Sequence, residues 1–309
     1  SDWQHFDAHD ILAMPDPWEY PWLATWDLSF QLVTLGLMDV ALAKQQALVL
    51  LSERYMHPNG AMAAFEGDLE TPHPPVHAWT VWHLYHKSGQ DEAFLQTAYA
   101  PLKAHFEWWL KTHQPEDHLF DGGFLGKDNI SILDRNKDIP EGGYITQADS
   151  TGWMAFFTLN MLAMAIELGN DADVEYFLHH FVAIRVALQN LWDDQDQYFY
   201  DVVRLPNGKS IPLKVRSLVG LIPLAAALVI DASMLKARPA LRTRLTQLAN
   251  ETPDFKPNAQ GSILLSVVPQ AQLTHLFNVL LDTEEFLAPY GLRSLSKVHS
   301  EQPVKVTLN

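Results

Sequence analysis

Apolar residues along this chain come in helix-length blocks, and the blocks come in twos. Residues 26 to about 38 are largely apolar; Asp39 then stands where a helix cap belongs, before a run to about 55 with its charges on one face. His57-Pro58-Asn59-Gly60 breaks the pattern. Residues 76–87 repeat the apolar member, ending near Ser88-Gly89, and 91 to about 113 repeat the amphipathic one through Leu95, Ala98, Leu102, Phe106 and Trp109. Residues 149–168 form a near-continuous apolar helix stopped at Gly169-Asn170, with 171–191 as its amphipathic partner. Residues 193–213 read as a hairpin, Tyr198 to Val203 forming a strand and Pro206-Asn207-Gly208 the turn. Residues 215–230 and about 233–248 form a fourth pair, about 269–281 a shorter helix, and 304–309 alternate like a strand with no evident partner.

Each pair puts a mostly apolar helix before a more charged one across a short turn. Two layers of antiparallel helices produce that order, one layer covered on both sides and the other half solvated. The fold class expected is all-α, an incomplete α/α toroid with long loops and a small β-hairpin. Four pairs and an incomplete fifth fall short of a closed ring. With an opening at Ser1-Asp2-Trp3 and no initiator Met, residues 1–309 read as one partial domain cut at both ends. No regular self-similarity supports a helical-repeat solenoid.

Composition narrows the partners. The 309 residues are 48% hydrophobic and carry a net charge of −16, so a nucleic-acid backbone would be repelled. No basic amphipathic segment suits an anionic membrane surface, and the longest apolar stretches, such as 218–230, are too short to span a bilayer. The absence of cysteine excludes disulfides, thiolate metal sites and a Cys nucleophile; it fits a reducing compartment, and with no signal peptide at the start a cytoplasmic location is expected. Oligomeric state is not legible.

The long connection from about 114 to about 147 holds Gly122, Gly123, Gly126, Gly142 and Gly143, yet also Phe120, Phe124, Leu125, Ile130, Ile132, Leu133 and Tyr144. A loop of this length in a compact domain is usually functional or disordered, and its aromatic and aliphatic content argues for order. Within it, Gly126-Lys127-Asp128-Asn129 presents an acid that could be catalytic, although Asp-Asn after glycine is also ordinary turn chemistry. All ten tryptophans lie at or before Trp192, and Trp18, Trp22 and Trp26 crowd towards Asp27. Aromatic faces beside a carboxylate suit a sugar, while tryptophan at this density also suits a core, and Asp27 can be a cap or a site residue. Glu66 is a second acid in an apolar loop or a surface turn; Asp134 and Asp138 fit a solvated stretch. His73/His77 and His83/His86 have ligand-like spacings without a carboxylate in a recognised pattern, so satisfied core or groove histidines are expected and no metal is assigned. The glycines match no nucleotide-binding fingerprint and there is no GxSxG elbow, so no cofactor is expected.

At Trp22…Trp26-Asp27, His57-Pro58-Asn59-Gly60, Pro74-Pro75-Val76-His77-Ala78-Trp79 and Gly126-Lys127-Asp128-Asn129, the chain resembles glycoside hydrolase family 63. It looks most like the bacterial glucosidases with a mannosylglycerate-hydrolase-like catalytic domain. The similarity runs on through 212–217 and 290–295. What the resemblance implies is an (α/α)6 barrel hydrolysing α-glycosidic bonds with inversion. Asp128 falls on the family's general acid, with Asn129 beside it, and Trp26 and Asp27 on its sugar-binding Trp-Asp. The Asn-Gly and Pro-Pro loops border the family's pocket, which places Trp22, Asn59, Glu66 and His73 near substrate. Many relatives have Glu-Ser-Gly where this chain has Phe124-Leu125-Gly126, and sugar-acid hydrolases carry Gln where it has His73; both departures bear on the substrate. The family's general base is a Glu beyond a Trp-Arg-Gly-Pro-type helix that is not found before Asn309, so no base is assigned and the chain alone is expected to be inactive or nearly so.

The expected function is therefore an inverting α-glycosidase of the α-glucosidase type, acting on a carbohydrate such as an oligosaccharide or a glucosylglycerate-like compound. Two alternatives stay open: a trehalase-like hydrolase, and a non-catalytic or degenerate carbohydrate-binding toroid module.

Overall fold

Asp39, Asp91 and Asn170 each precede a helix and cap it, their side-chain oxygens accepting from the N–H groups of Leu42, Phe94 and Asp173. The computed structural model describes residues 9–14, 18, 21–65, 71–123, 125, 130, 132–139 and 142–306. Three expected pairs are formed: α1 (Thr25–Leu35) with α2 (Val40–Leu50), α3 (His77–Lys87) with α4 (Glu92–Thr112), and, after a short strand β1 (Tyr144–Thr146), α5 (Ala148–Leu168) with α6 (Asp171–Leu188). The first members α1, α3 and α5 pack side by side, and each second member covers its partner. In α5, 18 of 21 residues are buried, as an apolar helix covered on both sides requires. By length and composition α5 could also cross a membrane, which corrects the expectation that every apolar stretch is too short; here it is mostly buried inside the molecule.

The fourth pair is not a pair of helices. Residues 218–225 form a 3-10 turn run and 227–230 a strand. The run Leu218-Val-Gly-Leu-Ile-Pro-Leu-Ala is apolar throughout, so periodicity cannot separate helix from strand, and Pro223 withholds the N–H an α-helix needs there. The 3-10 run still packs against α5 as an apolar element would. At Gly152 of α5 the approach is so close that a Cβ would stand 2.8 Å from the Pro223 nitrogen. Gly152→Ala is therefore expected to destabilise the fold by about 1–3 kcal/mol despite alanine's better helix propensity, read as a lower thermal midpoint. An unchanged or raised midpoint would refute this account of the packing.

The expected hairpin is present, and the sequence reading missed most of its surroundings. Strands β2 (Trp192–Asp193) and β3 (Tyr198–Phe199) pair with each other. Strands β4 (Asp201–Arg204) and β5 (Ser210–Leu213) form the hairpin around the Pro-Asn-Gly turn, closed by Leu205 N–H to Lys209 O at 2.9 Å. Strand β1 lies along the other edge of β4, Ile145 opposite Val203, so the long loop ends in a sheet rather than in coil. A small second core forms on this sheet from Ile139, Ile145, Val203, Leu205 and Leu213, with Val306 packed against it. Among the described residues no strand pairs with 304–306, so the alternation there serves packing and not a ladder.

Past the sheet come β6 (Ala227–Ile230), α7 (Ala232–Ala237), α8 (Pro239–Glu251), β7 (Ile263–Ser266) and α9 (Gln270–Leu280). Pro239 at the start of α8 splits what read as one helix over 233–248. Two further short strands, β8 (Leu287–Ala288) and β9 (Gly291–Leu292), pair near the end. The result is a mainly helical fold with small sheets, richer in strand than the one hairpin expected.

Candidate active site

Asp27 sits in the first turn of α1, beneath an N-terminus held by three bonds. Thr25 donates its N–H to Ala64 O at 3.1 Å and its hydroxyl to Ala63 O at 2.9 Å, and its Oγ1 lies 3.4 Å from His73 Nδ1. One residue on, the Trp26 ring meets His73 at 5.9 Å and Phe30 at 5.9 Å between centroids. Phe30 continues to Trp79 at 5.5 Å, and Trp22 packs on Phe65 at 6.4 Å. Trp22 and Phe30 keep 40% and 41% of their surface in solvent, so this aromatic band is a face and not only core. Asp27, next after Trp26 in the chain, is half-buried. Burial raises its pKa, partly offset by its own backbone N–H, and no cation is paired with it among the described residues. A desolvated carboxylate with spare lone pairs next to aromatic faces can accept hydroxyl hydrogens from a sugar ring.

The long loop is pinned at its base to the start of α5. Gln147 clasps Gly123 in both directions, its Nε2 donating to the Gly123 carbonyl at 2.8 Å and its Oε1 accepting the Gly123 N–H at 2.9 Å. Phe120 N–H donates to Thr151 Oγ1 at 3.1 Å, and Ser150 Oγ donates to the Asp121 carbonyl at 2.5 Å. On the returning limb, Arg135 forms a two-pronged pair with Asp149 at 2.9 and 3.0 Å and reaches Asp201 at 3.1 Å. Their side chains are 2%, 0% and 7% exposed. Asp201 also accepts the Ala148 N–H at 2.8 Å, and Asp149 the Ser150 N–H at 2.9 Å, so both carboxylates serve the open donors of α5. Burial outweighs Arg135 at Asp201 and raises its pKa to about 6, with two carboxylates sharing one guanidinium.

Between these anchors lies a cleft of about 350 Å³, lined by Thr71, Pro72, His113, Asp121, Gly123, Arg135, Lys137 and Gln147 among others. His113 Nδ1 and Asp121 Oδ1 meet there at 2.9 Å. Of the expected site residues, Trp26 and His73 are in ring contact, Asp27 follows Trp26 in the first turn of α1, and Trp22 lies just before that helix; none of them is among the lining residues of the cleft. Asn59 does turn work instead: its Oδ1 accepts the Ala61 N–H at 2.9 Å and its own N–H donates to His57 Nδ1 at 3.2 Å. Asp128, Asn129 and Glu66 lie outside the described residues. Asp134 pairs with Lys137 at 2.9 Å in solvent, as a solvated stretch should. His77 and His105 are core histidines; His83 and His86 stand against Trp79 and Trp82. Sequence reasoning missed Arg135, Gln147, Asp149, Asp201 and the His113–Asp121 pair, whose partners are too far apart in the chain to show as a motif.

Residues 20–121 match the sequence model of the mannosylglycerate hydrolase MGH1-like glycoside hydrolase domain. Over 346 aligned positions the chain is 38% identical to the uncharacterized protein YMR196W of Saccharomyces cerevisiae, covering 100% of this chain and 32% of that protein. The chain thus spans about a third of this curated relative's length. The crystal structure of the GH63 mannosylglycerate hydrolase from Thermus thermophilus in complex with glucose shares the fold with a TM-score of 0.56 at 17% identity, over 84% of this chain and 80% of that one. Its complex with Tris and D-glycerate gives 0.55 at 17% identity, over 80% and 74%. A structure described as a sialidase gives 0.55 at 15% identity, over 96% of this chain and 21% of the other. Residues 20–121 are thus similar in sequence to the MGH1-like glycoside hydrolase domain, and the solved structures share the fold of most of the chain.

Proposed function

We propose that this chain is the sugar-binding and acid-bearing part of an inverting α-glycosidase of the α-glucosidase type, built on an incomplete toroid of six helix pairs. Its substrates would be terminal α-glucosyl bonds of oligosaccharides or of glucosylglycerate-like compounds. The observation that carries the reading is Asp27: a half-buried carboxylate with no paired cation among the described residues, in the first turn of α1 and next in sequence to Trp26, whose ring meets Phe30 and His73. That the fold is shared with a hydrolase crystallised with glucose and with D-glycerate supports a sugar in this place.

In the proposed reaction, water attacks the anomeric carbon as the bond to the leaving oxygen breaks. Asp128 delivers its proton to that oxygen, and the attacking water loses a proton to a base. Asp128 would need a pKa raised by a dry, aromatic setting to hold that proton near neutrality. Asp27 and Trp26 would hold the ring through the step. No carboxylate among the described residues is assigned as the base, which in an inverting site stands roughly 6.5–9.5 Å from the acid.

Binding tests the sugar subsite without requiring turnover. Titration of the chain with D-glucose, followed by tryptophan fluorescence or calorimetry, is expected to saturate. Asp27→Asn and Trp26→Ala are each expected to weaken binding about 10-fold, the scale of one charge-assisted hydrogen bond or one stacked face. Unaltered affinity in both variants would remove these residues from the site.

A further inference from the structure

We propose that a second cavity, built between the last turn of α6 and the start of α9, is a binding site for a neutral sugar. It is separate from the face around Asp27 and from the cleft of the long loop, and the proposal rests on neither. The cavity measures about 380 Å³ and shares no lining residue with that cleft. Helix α6 supplies Arg185 to it, the 3-10 turn Pro253–Phe255 supplies Asp254 and Phe255, and β7 supplies Leu264. Helix α9 supplies Gln270, Thr274 and Phe277.

Its polar wall is charge-balanced and only half satisfied. The buried Arg185 guanidinium lies 4.8 Å from the Phe255 ring centre and donates to the Ser266 carbonyl at 2.7 Å and to Asp254 Oδ2. The Gln270 N–H donates to that same oxygen at 3.1 Å. Asp254 Oδ1 accepts no hydrogen bond among the described residues, and the side chain keeps 30% of its surface open. The apolar lining includes Leu264 and Phe277, with 43% and 46% of their surface in solvent. This combination selects a ligand. An anion would meet the open Asp254 oxygen, and a cation would meet Arg185 and Lys256, which also lines the cavity. An apolar chain would strip water from Asp254 Oδ1 and return no donor. A neutral ring with hydroxyls along its edge and C–H groups on its face gives the carboxylate a donor and covers Phe277. The size falls at the lower end of the roughly 300–1,000 Å³ range of small-ligand sites, as suits a sugar ring.

The test titrates D-glucose into the 309-residue chain and follows the backbone amide NMR signals of Gln270, Leu273 and Thr274, which belong to this cavity and not to α1. The signals are expected to shift saturably in the parent chain, and equally in the Asp27→Asn/Trp26→Ala chain, whose other proposed sugar face is altered. Phe277→Ala, at a half-exposed position, is expected to weaken this binding about 10-fold, the scale of one stacked face. Thr274→Trp, which fills the cavity from an exposed position of α9, is expected to abolish it. Inorganic phosphate and ethylammonium are expected to leave the signals in place. The proposal is overturned by the absence of a glucose shift in the parent, by a shift that neither cavity variant alters, or by phosphate or ethylammonium shifting the signals as glucose does. It is equally overturned if the parent self-associates and Phe277→Ala removes the association with glucose affinity unchanged, which would make this face an interface between copies of the chain. The α1 variants and the cavity variants are read at different signals, so failure of the Asp27 reading leaves this site standing, and the reverse.

Discussion

Asp128→Asn is expected to cut turnover of an α-glucobiose by about 10³-fold in the whole protein, near the middle of the range that a positioned general acid contributes. Asparagine keeps the shape and accepts one hydrogen bond, but holds no proton to give. The loss should therefore fall on kcat and leave glucose affinity close to the parent value, because the groups proposed to hold the ring, Asp27 and Trp26, belong to α1 and not to the loop. A split of this kind marks an interaction made only in the transition state. The alkaline limb of the pH–rate profile, where a general acid loses its proton, should disappear with it. Turnover near the parent level would remove Asp128 from the mechanism.

The parts of the fold that were legible in the sequence share one property: their signal is local. Asp39 caps its helix because a short polar side chain three residues ahead of an N–H reads the same in sequence and in space, as Asp91 and Asn170 also do in the structure. Helix α5 was legible from apolar content alone. The stretch 218–225 was not, since a run without polar residues has no period to read and the choice fell to Pro223 and to packing against α5. The candidate site divides in the same way. Trp26 and Asp27 are neighbours in sequence, and His73 joins them through its ring contact with Trp26. Arg135 looked solvated because it lies among Asp134, Asn136, Lys137 and Asp138, and its two carboxylate partners lie on other elements, at Asp149 and Asp201. Only the fold makes that charge a buried one.

Acidification from pH 7.5 to 4.5 is expected to lower the stability of this chain by several kcal/mol, and three histidines, His77, His105 and His180, set the sign. His77 is buried with neither ring nitrogen hydrogen-bonded; burial first, then the neighbouring His105 and His73, hold its pKa down to about 3, and the Thr25 backbone only partly opposes them. His105 is pulled down to about 4, chiefly by burial. Its Nδ1 lies 2.8 Å from the Gly60 carbonyl, and its Nε2 accepts the Trp109 indole N–H at 3.2 Å, so the charged ring would turn an acceptor into a donor facing a donor. Both groups, and His180, which burial and then His118 and His179 hold down at about 4, have folded pKa values below the ordinary 6.5, so the unfolded chain binds more protons and stability is lost as pH falls from about 6.5 towards 4 and 3. At pH 4.5 His77 and His105 together cost about 5 kcal/mol. Asp201 acts in the opposite sense: burial raises its folded pKa above the unfolded value, so its contribution is present at low pH and lost as pH rises through the folded pKa, which offsets part of the histidine loss. The net loss is a large share of the 5–15 kcal/mol typical of a whole domain. Urea unfolding at pH 7.5 and 4.5 measures it directly. His77→Leu, which removes a buried titrating ring with no hydrogen-bonded nitrogen and nearly conserves volume, should restore about half of what His77 and His105 cost at pH 4.5 without destabilising the protein at pH 7.5. If the pH dependence between 6.5 and 4.5 is the same in His77→Leu as in the parent, His77 is not held neutral by the fold, and the acid sensitivity has another source.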